Sequence, residues 1–69
     1  MELNWIKVMS STELFKVELA KSVLQSHQIE SMIVNKQDSA YVVLGFSELH
    51  VPEANVEAAI QVLKEQDLI

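Results

Sequence analysis

The sequence predicts an α+β sandwich in which two helices cover one face of a mostly antiparallel sheet. Three observations carry that expectation. Hydrophobicity switches along the chain between a period of two and a period of three to four. Each helix-like segment is preceded by an entry signal, "SSTE" for the first and Pro52 for the second. A polar turn, "KQDS", separates two β-rich runs. The resulting order is strand, helix, strand, strand, helix, the split-βαβ pattern of a ferredoxin-like βαββα(β) fold with an optional last strand. With 69 residues the chain has material for one thin core, so residues 1–69 are expected to form a single domain.

Residues 3–9, "LNWIKVM", alternate Asn4, Ile6 and Val8 against Leu3, Trp5, Lys7 and Met9, as a strand with two distinct faces does. In "SSTE" a capping box is expected: Ser10 accepts from the amide three residues on, Glu13 reaches back, and a helix starts at about Ser11. Leu14, Phe15, Val17, Leu19, Ala20, Val23 and Leu24 form its buried arc, while Glu18, Lys21, Ser22 and Gln25 gather opposite. Lys16 interrupts the arc and can lay its stem along the edge. The helix should end near "SHQ", where His27 suits the terminal carbonyls.

Residues 29–35, "IESMIVN", predict the second strand. After the turn, "AYVVL", a bend at Gly45 and "FSELHV" read either as two strands or as one long bent ribbon. Pro52 then opens "EANVEAAIQVLKEQ", where Val56, Ala59, Ile60 and Leu63 share a helical face. Glu53 and Glu57 near its start and Lys64 near its end complement the helix dipole. The tail "DLI" is either a short edge strand or a frayed end.

Composition narrows the function. All five basic residues are Lys, against ten acids, for a net charge of −5, so a polyanion would be repelled and nucleic acid is not an expected partner. Without Arg there is no bidentate guanidinium for a phosphoryl or carboxylate group, as acyl-phosphate hydrolases of this fold require. Without Cys there is no thiolate metal site, redox dithiol or thiol nucleophile. The one glycine, Gly45, stands in an apolar run instead of ahead of a helix, which excludes a phosphate-binding loop. The longest apolar run, "AYVVLGF", is about a third of a bilayer span, so no membrane association is expected. "MELNWIKVMSS" carries no signal-peptide pattern, and a cytoplasmic location is expected.

The run "ELAKSVLQSHQIESMIVNKQDSAYVVLGFSELHVPEANVEAAIQVL" resembles a small bacterial family of putative signal-transducing proteins of unknown function, related in fold to the PII nitrogen-regulatory proteins. The landmarks are Ala20, Lys21 and Leu24, then Ile29, the "NKQDSAY" turn, and "ELHV" followed by "VEAAIQVL". Gln28 stands where the family usually has Gly before the Ile, which argues against a left-handed helix cap. The resemblance implies a ferredoxin-like domain with a regulatory or interaction role and brings no catalytic residues with it.

No catalytic, cofactor-binding or metal set is assigned from the residues themselves, and no cofactor is expected. Ser10, Ser11 and Thr12 have no base or oxyanion partner in the pattern, and capping accounts for them. Glu48 and His50 share one strand face and offer two donors, whereas a tight metal site takes more. Lys36, Asp38, Ser39 and Tyr41 read as turn chemistry. The remaining signal is apolar surplus. If the helices cover the face holding Ile6, Val8, Leu49 and Val51, then Trp5, Lys7, Met9, Phe46, Glu48 and His50 form the other face. Met32, Val34, Tyr41 and Val43 are further candidates whose side depends on register. The expected function is a non-enzymatic regulatory module that binds a protein through this face or a sheet edge, a second copy making a homodimer included. The alternative is a small-ligand or metal-responsive domain using Glu48, His50 and the residues around Lys36 to Tyr41.

Overall fold

The computed structural model describes residues 4–36 and 46–69. The elements run β1 (Trp5–Ser11), α1 (Leu14–Ser26), β2 (Met32–Lys36), β3 (Phe46–Pro52), a 3₁₀ turn (Glu53–Asn55) and α2 (Val56–Glu65). The sheet order is β1-β3-β2, and both outer strands are antiparallel to β3, hence parallel to each other. Between them α1 makes the crossover, leaving the central slot for β3: this is the split-βαβ of a ferredoxin-like α+β fold. Of the expected "KQDS" turn, Lys36 ends β2, and the rest of it, with the "AYVVL" strand and the Gly45 bend, lies outside the described residues.

Both helices pack on one side of the sheet, on a core of Met9, Val17, Ala20, Leu24, Ile29, Leu49, Val51, Ala59, Val62 and Leu63. On β3 the alternation holds: Ser47, Leu49 and Val51 are buried beneath the helices. The buried Ser47 hydroxyl donates to Asn35 Oδ1 at 2.7 Å, so its desolvation is offset by a hydrogen bond. Ile33, opposite Leu49, packs against the same core from β2.

On β1 the alternation breaks. Lys7 pairs with His50 but Met9, two residues on, pairs with Leu49, so one extra residue is inserted as a β-bulge. Before the bulge Lys7 faces away from the helices; after it Met9 faces them, 9% exposed, with Val8 packed against the same core. Met9 therefore belongs to the core and not to the open face where simple alternation placed it. The bulge carries no glycine, and its cause lies in tertiary packing.

The helix entrance also differs from expectation. Ser10 and Ser11 stay in β1, paired with Glu48 and Ser47, because continuing the ladder satisfies their backbone groups. The helix starts at Leu14 with Glu13 at the cap position and no side-chain cap bond. In place of the capping box, Ser11 Oγ accepts from the Glu13 amide at 3.0 Å and Glu13 Oε1 pairs with Lys16 Nζ at 3.2 Å.

The buried arc of α1 is narrower than the sequence suggested. Val17, Ala20 and Leu24 are buried and Val23 packs at the margin, but Leu14, Phe15 and Leu19 are exposed. Three strands and one neighbouring helix cover only one side of this helix, and its apolar residues extend further round than that cover.

Both helices end in the same way. Gln28 adopts φ 62° and Asp67 φ 57°. After α1, Gln28 N–H donates to Gln25 O and Ile29 N–H to Leu24 O, both at 2.9 Å. After α2, Asp67 N–H donates to Lys64 O at 3.1 Å and Leu68 N–H to Leu63 O at 2.9 Å. These are Schellman motifs, and in each the following apolar residue, Ile29 or Leu68, packs into the core beside the last helical leucine. The left-handed cap thus forms at Gln28 without Gly, since the anchored Ile29 holds the backbone there. Ile29 is consumed by this cap, so β2 starts only at Met32. Leu68 is likewise a cap anchor and not part of an edge strand.

Candidate interaction face

Cross-strand partners in an antiparallel sheet project to the same side, so the register assembles the uncovered face row by row. Trp5 lies opposite Pro52; Lys7, His50 and Met32 form the next row; Ser10, Glu48 and Val34 the third; and Phe46 the last. Of the six residues expected on this face, Trp5, Lys7, Phe46, Glu48 and His50 are placed there, and Met9 is on the opposite side. The register also resolves Met32 and Val34 onto the open face. Tyr41 and Val43 lie outside the described residues.

At the centre of the face is Glu48. Its Oε1 accepts from His50 Nε2 at 3.0 Å, and Lys7 Nζ stands 3.7 Å from Oε2. The carboxylate is well sheltered, its side chain 12% exposed, while that of Lys7 is 54% exposed. Three strand positions thus converge on one carboxylate: two residues apart on β3 for Glu48 and His50, and across the ladder for Lys7. The i, i+2 spacing supplies the first contact and the β1–β3 register the second. Around this cluster stand Trp5, Val34, Met32 at 39% exposure and Phe46 at 42%.

Chemically the cluster is a neutralised polar centre. Glu48 balances a cation, and its imidazole neighbour is oriented by the same carboxylate. Glu48 and His50 would supply two donors to a metal, and among the described residues no group of three His, Cys, Asp or Glu side chains converges. Ser10 lies across from Glu48 on this face, and Ser11 is engaged with the Glu13 amide. Among the described residues, no helix is long and apolar enough to cross a membrane.

A family model described as "Putative prokaryotic signal transducing protein" matches residues 5–67. The chain belongs to this family. The match runs from the first residue of β1 to the left-handed cap after α2, so every described element lies within it. No curated protein and no solved structure matches the chain significantly. The family's description suggests a signal-transducing role and gives no mechanism.

Sequence reasoning missed the contribution of the exposed Ser10 to the open face, which only the register reveals, and the buried position of Pro52 opposite Trp5. It also missed the exposed Phe15 and Leu19. A signal for these was present: the apolar residues of α1 occupy more of its circumference than a single sheet face can cover.

Proposed function

We propose that this domain is a non-enzymatic signalling module that works in the cytoplasm by binding another protein through the open face of its sheet. The observation that carries the reading is the Lys7–Glu48–His50 cluster, a charge-balanced centre bordered by Trp5, Met32, Val34 and Phe46 on the side that neither described helix covers. Contact surfaces combine apolar and aromatic side chains with a few oriented polar groups, and an internally neutralised ion pair is less costly to cover than a lone charge. The resemblance to PII regulators suggested by the sequence would be one of fold alone and lends the reading no ligand.

The test uses the wild-type chain and the variants Trp5→Asp and Phe46→Asp as baits in lysate of the native host, followed by calorimetry on the purified partner. The expected result is a partner whose affinity falls on the order of tenfold or more with either variant. A partner bound equally by all three chains overturns the assignment of this face.

A second reading, a metal-responsive domain, is favoured by one observation: Glu48 Oε1 and His50 Nε2 lie 3.0 Å apart, close enough for both to ligate one ion. Titration with zinc decides it. Binding heat in wild type that disappears in His50→Ala supports a sensor; no heat in wild type removes it.

A further inference from the structure

The exposed side of α1 is patterned. Phe15, Leu19, Ser22 and Ser26 are spaced by four, three and four residues, so they form one row along the helix, opposite the buried Val17, Ala20 and Leu24. Phe15 is 63% and Leu19 51% exposed, and both serines are exposed as well. The row is bulky in its N-terminal half and small in its C-terminal half.

From this pattern we infer that a second copy of the chain is the occupant: two α1 helices pack antiparallel about a two-fold axis, Phe15 of each copy seating over Ser26 of the other and Leu19 over Ser22. Antiparallel pairing about the midpoint of the row matches large to small at every step, because 15 pairs with 26 and 19 with 22. Parallel pairing instead sets Phe15 against Phe15 and leaves the serines facing across a gap. Ser26 is suited to being covered, since its hydroxyl already donates to Val23 O at 2.7 Å and exposes little unmet polarity.

The residues that flank the row are compatible with this orientation. In the antiparallel pair Glu18, which flanks the row, lies beside the uncharged Gln25 of the second copy, so no like charges meet at the contact. One helix of 13 residues, about 20 Å long, gives a contact at the small end of specific interfaces, so the dimer is reversible. Each copy carries a net charge of −5, so long-range repulsion opposes association and rising salt strengthens it. The helix row and the open sheet face lie on opposite sides of the domain, so this dimer leaves the proposed partner surface accessible and is independent of it.

Sedimentation velocity from micromolar to millimolar concentration, on wild type, Phe15→Asp and Trp5→Asp, tests the inference. The expected result is a concentration-dependent dimer in wild type and Trp5→Asp, weakened on the order of tenfold or more in Phe15→Asp. Phe15 is exposed, so circular dichroism should show that variant folded. A second variant, F15S combined with S26F, exchanges large for small and should restore the dimer. Because the chain contains no Cys, oxidation of Phe15→Cys mixed with Ser26→Cys reads the register directly: cross-linked heterodimer should exceed either homodimer. A wild type that is monomeric throughout overturns the inference, as does a dimer lost in Trp5→Asp but kept in Phe15→Asp. Cross-linking of Phe15→Cys alone as readily as the mixture, or failure of the folded exchange variant to dimerise, also overturns it.

Discussion

The two helices of this domain obey the same packing rule with different amounts of apolar material. In α2 the buried residues Ala59, Val62 and Leu63 lie on one side, with Val56 packed at its margin and Glu57, Gln61 and Lys64 facing water. In α1 the buried residues Val17, Ala20 and Leu24 occupy one side as well, but Leu14, Phe15 and Leu19 remain outside. One helix spends most of its apolar surface on the core, leaving the half-buried Ile60 beside its polar side; the other retains a second apolar side. Burial is therefore set by the cover a neighbour provides, and hydrophobicity beyond that cover is free for association.

The largest test of this contrast is truncation on each side of α1. Leu24→Ala and Leu63→Ala, both at fully buried positions, should each cost about 2–5 kcal/mol in urea unfolding. Phe15→Ala, measured at dilution where the chain is monomeric, should change stability by about 0.5 kcal/mol or less. A Phe15 cost comparable to the leucines would mean that this ring is part of the core and would erase the distinction between the helices.

A smaller effect of opposite sign is expected at the two helix ends, where α1 and α2 are alike. Gln28→Gly and Asp67→Gly relieve a left-handed backbone conformation and should raise stability by about 0.5–1 kcal/mol, the larger gain at Gln28 because Asp tolerates that region better. Thermal denaturation of both variants measures it. Destabilisation by Gly at either site would show that the side chain, and not the backbone angle, holds the cap.

The smallest expected effect distinguishes adjacent serines at the entrance to α1. Ser11→Ala removes the acceptor for the Glu13 amide in an exposed bond and should cost about 0.5 kcal/mol, while Ser10→Ala, on the exposed ladder, should be near neutral. The reverse order would restore the capping box that the sequence suggested.

Much of the architecture was legible because it depends on local periodicity. The alternation in "FSELHV" placed Leu49 and Val51 inside and Glu48 and His50 outside, and Pro52 with its acidic successors marked the approach to α2. Three features were not legible, for one shared reason: each is decided by a competitor outside the local window. Ser10 and Ser11 fit a cap, but β3 offered them ladder partners. Phe15 and Leu19 fit a buried helix face, but the available cover ended at Val17 and Ala20. Met9 fits the same side as Trp5 and Lys7 by parity, but the core drew it in through a bulge. Which side of the sheet the candidate residues occupy was readable on β3 and misread at the β1 position beyond that bulge.

The bulge at Lys7–Met9 has a consequence for solubility. Among the described strands β1 lies at an edge, with a row of backbone donors and acceptors that another extended chain would find attractive. A bulge breaks the even spacing of that row and increases its twist, and Lys7 adds an ammonium that an incoming strand would have to accommodate. The inserted residue that carries Met9 into the core thus also makes the strand a poor template for edge-to-edge growth, steering association towards side-chain surfaces and away from open-ended polymerisation.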